Sequence, residues 1–407
     1  MAQGDDRGEG GAERGGLAFV VTLGALAAVS ATTVDVCIPA QPEIARAYGA
    51  APATGAALVS AYLVGYGPGQ LLWGPLADRF GRRPPLFLSL AGFILASVVC
   101  ALAGSFEILL LARGVQGLFG AASPVIARAI ARDQGGGAAS ASLISAMTIV
   151  LGGAPLLAPA LGSGLLVLFD WPAIFWFLAL FGVLTALAAY LVLTESLPPA
   201  RRSALSPAGR LRDARRLFGA RDFVVGMGIS ASIFAGYAAL LSIGAAVALE
   251  RYDVAAEAFG PLFTLAAVAF VVGSVAARQG VRRFGVQAVL TLGAGIAGLA
   301  GVGLALAAGA DLALPAFWGL VGLYVLAFGL LLPAATALAL EPAGEMAGFG
   351  SSLIGALQVL AGALGAQFAA AAAWSSSYAG LCWVMAGGAA LCLAVRLLSL
   401  ALPPSKA

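Results

Sequence analysis

The sequence contains no histidine and no asparagine, and it has one lysine against 21 arginines. Without histidine, the chain lacks the commonest metal ligand and the usual proton-relay side chain. The four cysteines lie in apolar runs without metal-ligand spacing, which favours a packing role for each of them; they are Cys37, Cys100, Cys382 and Cys392. We therefore expect neither a metal site nor a bound cofactor.

Charge is also scarce, since only 10% of the residues are charged while 61% are hydrophobic. The mean hydropathy is +0.98, and apolar runs of about 20 residues recur, the length that crosses the roughly 30 Å of a bilayer core. A soluble protein of 407 residues could not bury so much apolar surface. The composition predicts an all-α polytopic membrane protein whose partner is the lipid bilayer and not a nucleic acid.

Other absences argue against an enzyme or a receptor embedded in the membrane. The sequence has no Walker-type phosphate loop, which excludes nucleotide hydrolysis as an energy source, and we find no sizeable extramembrane domain. We count twelve apolar spans, at 17–38, 53–75, 84–103, 106–129, 140–164, 171–194, 221–249, 257–277, 284–308, 312–339, 345–371 and 376–401.

The distribution of arginine predicts the orientation of the chain. If the N-terminus is cytoplasmic, the outer loops hold only Arg46 and Arg251, whereas the inner segments hold the cluster from Arg201 to Arg221 and most other basic residues. Because positive loops stay inside, both termini are expected in the cytoplasm. Since arginine outnumbers lysine, as is typical of GC-rich bacterial genomes, we expect the inner membrane of a bacterium. We also expect a monomer.

A linker near the midpoint and two internal repeats predict two six-helix halves. We expect a disordered tail at 1–16, helical bundles at 17–195 and 221–401, a cytoplasmic linker at 196–220 and a second tail at 402–407. The pattern Gly74…Arg79-x-Gly81-Arg82-Arg83 returns as Gly273…Arg278-x-Gly280-x-Arg282-Arg283, with Ala277 in place of Asp78. The segments 142–152 and 352–362 also align. Two parallel halves place a substrate site at their interface near the bilayer midplane.

The densest charge lies between the second and third spans, in the segment 74–84. It holds one carboxylate, Asp78, and three guanidiniums, Arg79, Arg82 and Arg83. We expect Gly74 and Gly81 to allow a tight turn and Pro84 to start the next helix. A loop that only sets topology needs neither the acid nor the two glycines, so we expect this segment to act as a gate.

Four motifs give the chain its resemblance to a known family. Gly74-Pro-Leu-Ala-Asp-Arg-Phe-Gly-Arg-Arg83 is similar to the loop 2–3 signature of the major facilitator superfamily, and Arg113-Gly-Val-Gln-Gly117 resembles the span-four signature. Asp35-Val-Cys-Ile-Pro39 resembles the acid-and-proline motif of its drug exporters. The segment 154–162, with Pro155, Pro159 and Gly162, resembles their antiporter helix.

The chain thus most resembles the drug:proton antiporters of the bicyclomycin and chloramphenicol resistance branch. The resemblance implies the major facilitator fold, with twelve helices in two pseudo-symmetric halves, and proton-driven export of small amphipathic compounds by alternating access. It also implies that the loop acid faces span eleven. We predict that Asp78 pairs with a loop arginine and faces the N-terminal end of a helix in the second half, where the helix dipole favours an anion.

Asp35 and Arg113 are the charges that we predict to couple protons to transport. Asp35 is the only carboxylate well inside a predicted span, where an ionised acid costs about 2.5–3.5 kcal/mol and is a functional candidate. A structural alternative places Asp35 nearer the outer surface, where it is merely solvated. Arg113 could tune Asp35 or contact substrate, or it could be tied to backbone carbonyls and Gln116.

The second half offers no intramembrane charge, so it can contribute only shape and neutral contacts. Aromatic walls with a few polar tips suit amphipathic ligands, although ordinary helix packing explains each residue singly as well. With Asp35, Arg113 and Gln116, the candidate substrate-binding residues are Tyr62, Tyr66, Tyr237, Tyr324 and Gln358. The alternative function is a symporter or uniporter of a nutrient such as a sugar or organic acid. The absence of asparagine and of a second cationic site favours export.

Overall fold

The computed structural model describes residues 16–134, 143, 147, 157–202, 207–371 and 376–401. Within these ranges the regular elements are helices. The α-helices are α1 Leu17–Asp35, α2 Gln41–Ala47, α3 Ala56–Phe80, α4 Arg83–Ala101, α5 Phe106–Gly120, α6 Ala122–Asp133, α7 Leu157–Leu168, α8 Pro172–Val192, α9 Pro207–Gly219, α10 Arg221–Tyr252, α11 Ala256–Phe284, α12 Val286–Ala307, α13 Leu314–Leu340, α14 Ala347–Ala369 and α15 Ser377–Ala401. Short 3₁₀ turns lie at Pro52–Gly55, Pro199–Arg201 and Glu341–Met346.

The helices confirm an all-α polytopic membrane protein. In the described part, ten helices are long and apolar enough to cross a bilayer, and the pair Gln41–Ala47 and Pro52–Phe80, bent by 110°, makes an eleventh. The fifth predicted span, 140–164, is represented by α7, and most of its earlier part lies outside the described residues. Large apolar side chains such as Leu111 and Leu364 point outward from the bundle, as expected where lipid replaces water.

Within the first half, α3 packs on α5 and α4 packs on α8; within the second, α11 packs on α13 and α12 on α15. Across the halves, α3 packs against α14 and, more sparsely, against α10. The largest buried cluster joins Ile38, Tyr62 and Leu63 of the first half to Ile233 and Tyr237 of the second. The core is therefore continuous across the predicted interface, while the boundaries 17–195 and 221–401 remain predictions.

The two ends of the helix bundle can be named by their loops. We call the end that carries Arg82, Asp133 and Glu195, which contact one another, the loop face. The opposite end, which carries Gln41 and Tyr48, is the far face. Helix α3 runs from the far face to the loop face, and α4 returns.

The turn on the loop face is shorter than the sequence suggests. Gly74 and Pro75 lie inside α3, which continues to Phe80, so the expectation that Gly74 makes a tight turn is wrong. A proline does not end a membrane helix when its neighbours satisfy the freed backbone groups. Gly81, with φ 94°, makes the turn, and Pro84 lies in the first turn of α4 as expected.

The structure also shifts the register of the internal repeat. Gly280, which the sequence alignment pairs with Gly81, lies inside α11, whereas Gly285 ends that helix with φ 82° and ψ 165°. Gly81 has nearly the same conformation, with φ 94° and ψ 169°. Pairing the two turn glycines places Arg282 opposite Asp78. The second copy therefore carries a cation where the first carries its acid.

Candidate functional site

Asp35 is the last residue of α1 and lies inside the protein, with 4% of its surface exposed. The chain then leaves the helix in a series of turns through Pro39 before α2 begins. Val34 and Ile38, which flank Asp35 in the sequence, belong to the buried cluster that also contains Tyr237 of α10. The buried acid therefore lies at the interface between the halves, and the alternative of a solvated surface acid is wrong.

Arg113, on α5, is fully buried and is held by neutral groups. Its Nη1 donates to Oε1 of Gln116 at 2.6 Å, and its Nε donates to the carbonyl of Leu58 at 3.3 Å. The guanidinium lies 4.8 Å from the ring centroid of Tyr62, a contact that stabilises a cation through the ring quadrupole. Gln116 in turn donates to Ser97 at 2.7 Å.

Among the described residues, no ion pair joins Arg113 to Asp35; the ion pairs found are Arg82–Asp78, Arg82–Asp133, Arg210–Asp78 and Arg251–Asp311. The structural alternative for Arg113, a tie to a backbone carbonyl and Gln116, is present. One terminal nitrogen, Nη2, is buried without a hydrogen-bond partner in this part of the chain. Arg113 can therefore still offer a donor to a ligand, because an unpaired buried donor gains by acquiring an acceptor.

Aromatic rings surround the interface near Asp35. Tyr62 and Tyr66 stack with centroids 5.8 Å apart, and Tyr66 packs against core residues of both halves. From the second half, Tyr237 stacks on Phe328 at 4.5 Å. These rings belong to or pack against the cluster that holds Val34 and Ile38, and they give the interface an apolar wall that suits amphipathic ligands.

Two of the residues predicted to bind substrate make hydrogen bonds between helices of the second half. The hydroxyl of Tyr324, fully buried, donates to the carbonyl of Ile233 at 2.9 Å. Gln358 accepts a hydrogen bond from Ser230 at 3.0 Å. Both contacts join helices that are neighbours within the second half. A role of these two side chains in binding substrate remains a prediction.

Arg82 is the centre of a charge network on the loop face. Its Nη1 donates to Asp78 at 2.7 Å, as expected of a loop arginine. Its Nε and Nη2 donate to the two oxygens of Asp133 at 2.8 and 3.3 Å. One guanidinium thus binds the ends of α3 and α6 together. Arg79, by contrast, is exposed and lies against the ring of Phe80.

Glu195, like Asp133, is an acid of the loop face that the sequence analysis did not identify. Its Oε1 accepts from the backbone N–H groups of Arg82 and Leu197 at 2.8 and 3.0 Å, and its Oε2 accepts from that of Arg83 at 3.1 Å. Burial opposes the charge, but these N–H groups and nearby Arg202 outweigh it and lower the pKa of Glu195 below its ordinary 4.5. A carboxylate on the first N–H groups of α4 also suits the helix dipole.

A signal for both missed acids exists in the sequence. Asp133 and Glu195 each follow a long apolar run at the end that should share the loop face. In a chain with so few charges, acids at these positions are candidates to pair with the arginines of the loop. The contact between Arg82 and Glu195 is not apparent in the sequence, because 113 positions separate the two residues.

Asp78 shares a cavity of about 260 Å³ with the N-terminal turn of α14, including Gly348 and Ser352. Arg210 of α9 lies between them. Its Nη2 is 3.3 Å from Asp78 Oδ2, and its guanidinium carbon is 5.1 Å from the ring centroid of Phe349. The acid and the helix N-terminus therefore face one cavity, with a linker arginine bridging them.

The halves also contact each other on the far face. The side-chain Nε2 of Gln41 donates to the carbonyl of Leu241 at 2.8 Å, and the backbone N–H of Gly260 donates to Ser163 at 3.0 Å. A Cβ at Gly260 would lie 2.5 Å from the carbonyl of Pro159, so the absence of a side chain allows this approach. Because α3 of the first half also packs against α14 of the second, the halves are in contact at the loop face as well as at the far face.

The segment expected to form the antiporter helix is only partly described. Pro155 lies outside the described residues, whereas Pro159 and Gly162 belong to α7. A Cβ at Gly162 would lie 2.2 Å from the carbonyl of Val36. Gly162 therefore lets α7 approach the chain that immediately follows Asp35.

Two helical bundles with a buried acid at their interface and a buried arginine inside the first bundle have the layout of a secondary transporter. Residues 23–366 match the family model of the Major Facilitator Superfamily, and the chain belongs to this family. It is 32% identical over 361 residues to the "Uncharacterized MFS-type transporter YdgK" of Bacillus subtilis, covering 87% of this chain and 88% of the relative.

Two further relatives carry names that refer to drug resistance. The chain is 29% identical over 352 residues to the "Bicyclomycin resistance protein homolog" of Haemophilus influenzae, covering 85% of this chain and 87% of the relative. It is 32% identical to the "Multidrug resistance protein MdtL" of Escherichia coli over 189 residues, 46% of this chain and 48% of that protein. The resemblance to the bicyclomycin resistance branch is thereby confirmed.

Solved structures share the fold. A D-xylose–proton symporter superposes with a TM-score of 0.74 at 18% identity, covering 95% of this chain and 97% of the symporter. The human organic anion transporter MFSD10 gives 0.69 at 20% identity, covering 93% and 98%. At such identity the likeness shows the major facilitator fold alone. The family and these neighbours are membrane transporters and not enzymes.

Proposed function

We propose that this transporter is a proton-coupled antiporter that exports small amphipathic compounds, including antibiotics, from the cytoplasm. The observation that carries the proposal is the position of Asp35, which is buried and is flanked by Val34 and Ile38 of the cluster that joins the two halves. The proton gradient supplies the energy, and no cofactor takes part. The names of the relatives support drugs as substrates.

In this mechanism a proton and a substrate compete for the interface around Asp35. Protonation removes a buried negative charge and favours one arrangement of the halves, while substrate in the aromatic wall favours the other. Each ligand shifts the equilibrium only by the difference between its affinities for the two states. Arg113, whose Nη2 lacks a partner in the described structure, supplies a fixed donor to the substrate.

The loop face is the gate on the cytoplasmic side in this proposal. Asp78, Arg82 and Asp133 hold it closed together with the N-terminal turn of α14, and the contacts break when the halves rock. The far face, which is already in contact through Gln41 and Gly260, stays closed while the loop face opens. Both termini lie in the cytoplasm, the membrane is the bacterial inner membrane, and the working unit is a monomer.

The test uses inverted vesicles with an acid interior, to which bicyclomycin or an unrelated antibiotic is added. We expect the drug to enter in exchange for protons, so that the acid-inside gradient collapses faster with the protein than without it. Asp35→Asn should abolish this exchange. Asp170→Asn, which changes an exposed acid on the chain, is the matched control and should retain it.

Full coupling in Asp35→Asn would refute the assignment of this acid. Transport of drugs without any movement of protons would refute antiport. Growth of a pump-deleted host on single carbon sources, measured beside its drug susceptibility, distinguishes export from nutrient uptake. A growth advantage without a change in susceptibility would favour the nutrient carrier.

A further inference from the structure

Helix α9, in the segment between the halves, presents two different faces. Its inward stripe contains Arg210, Asp213, Ala214 and Leu217, the spacing of one helical face. Arg210 bridges Asp78 and Phe349, and Asp213 lines the same cavity. Leu217 is buried in a cluster with residues of α13 and α14. This stripe fastens α9 to the loop face of both halves.

The outward side of α9 carries cations beside apolar side chains. Leu211 is 54% exposed and Phe218 is 43% exposed, and both lie on one stripe with exposed Arg215. Arg212 and Arg216 lie on the adjoining stripe and are exposed as well. Among the described residues, no ion pair engages any of these three arginines. We call Leu211, Arg212, Arg215, Arg216 and Phe218 the outer surface of α9.

The chain holds this surface close to the membrane. Helix α9 ends at Gly219 and the membrane-spanning α10 begins at Arg221, so Ala220 alone separates them. Ala220 is extended, with φ −86° and ψ 118°, which turns the chain sharply between the helices. The ring of Phe218 lies edge-on to Phe223 of α10 with centroids 5.7 Å apart. The outer surface of α9 therefore starts at the level where α10 enters the bilayer.

A helix with cations and large apolar side chains at this level matches the chemistry of a membrane interface. Arginine binds the phosphate of a headgroup, while Leu211 and Phe218 can enter the acyl boundary. A nucleic acid or an acidic protein would match the cations but would leave the apolar side chains uncovered. The combination therefore favours lipid.

We propose that the outer surface of α9 binds anionic lipid headgroups of the bilayer, and that bound lipid steadies the helix that bridges the two halves on the loop face. The binding goes beyond the proposed transport function and does not depend on it. Lipid binding would affect the gate because the inward stripe of the same helix contacts the loop face. A rigid α9 keeps Arg210 between Asp78 and Phe349 and so favours the closed loop face.

The binding is measured by native mass spectrometry of delipidated protein titrated with dioleoylphosphatidylglycerol or dioleoylphosphatidylcholine. We expect the first equivalents of phosphatidylglycerol to bind at least about fivefold more tightly, the factor that one arginine near an anionic surface contributes. The triple variant R212Q/R215Q/R216Q should lose this preference. The triple variant R212K/R215K/R216K should keep it, because the charge remains.

The chain offers a matched control in R278Q/R282Q/R283Q, which removes three exposed arginines from the end of α11. This variant should keep the preference for phosphatidylglycerol. An equal loss in both glutamine variants would show that net charge alone attracts the lipid and would overturn the proposal. An unchanged preference in the α9 variant would overturn it too.

The effect on the gate is measured by hydrogen–deuterium exchange in nanodiscs of either lipid. Phosphatidylglycerol should slow exchange in α9 and in the first turn of α14 for the wild type and for the α11 control, but not for R212Q/R215Q/R216Q. Slower exchange in α9 alone would leave the binding site standing and overturn its link to the gate. This readout needs no substrate, so it fails or succeeds independently of drug transport.

Discussion

Replacing Arg82 with lysine keeps the positive charge of the loop but removes its forked geometry. The guanidinium makes three hydrogen bonds to carboxylates, one to Asp78 and two to Asp133, at 2.7, 2.8 and 3.3 Å. A lysine ammonium is a point charge on a flexible stem and cannot match two carboxylates on different helices at once. We expect the Arg82→Lys variant to retain the contact to one acid and lose the other.

The free-energy cost follows from those contacts. A hydrogen bond to a charged group contributes about 1.5–3 kcal/mol, and the loss amounts to one or two of the three bonds. The side chain of Arg82 is 8% exposed, whereas that of Asp78 is 36% exposed, so water compensates part of the loss. We therefore expect a destabilisation of about 2–4 kcal/mol.

The assay is a thermal shift of purified protein in detergent, with Arg83→Lys as the matched control. Arg83 contacts the carbonyl of Tyr190 at 3.4 Å and two aromatic rings, so its replacement should cost much less. The apparent melting temperature should fall by about 3–8 °C for Arg82→Lys. Because such unfolding is commonly irreversible, the scan rate must be the same for both. Equal shifts in the two variants would refute the role of the fork.

Three further variants test other contacts. Glu195→Gln should lower the apparent melting temperature at pH 7. The pKa of Glu195 in the folded protein is lowered from 4.5, so its carboxylate stabilises the fold at pH values above 4.5 and loses this effect as the pH falls through the folded pKa. The difference in melting temperature between wild type and Glu195→Gln should therefore narrow in acid, and a constant difference would contradict this. Gly260→Ala places a Cβ 2.5 Å from the carbonyl of Pro159 and should hold the far face open, seen as faster labelling of a cysteine introduced there; unchanged labelling would argue against a close approach. Gln41→Leu removes the hydrogen bond to Leu241, worth about 1 kcal/mol, and should also raise that labelling, by less than about tenfold; slower labelling would contradict it.

Local pattern was sufficient for the class of protein and for the residues of the charged loop. The pairing of Asp78 with a loop arginine was predictable because Arg82 lies only four positions away, across the turn at Gly81. The tie from Arg113 to Gln116 is also within a turn. Contacts of this kind join near neighbours in the sequence, so they can be expected without knowledge of the tertiary fold.

Predictions failed where they required knowledge of helix ends and neighbours. Gly74 was expected in a turn, but lateral packing keeps α3 helical to Phe80. The repeat was aligned through Gly280, but the positive φ at Gly285 shows which glycine ends the helix.

The sequence by itself determined that this protein spans a membrane and belongs to a transporter family, and it identified Asp35 and Arg113 as its intramembrane charges. It could do so because the bilayer thickness fixes the length of an apolar helix and the cost of a charge inside it. Only the tertiary structure decided that Arg82 binds Asp133, that Glu195 caps α4 and that the segment around Asp35 packs against the helix of Tyr237. These partners lie tens to hundreds of residues apart, and only the packing of the helices brings them within reach.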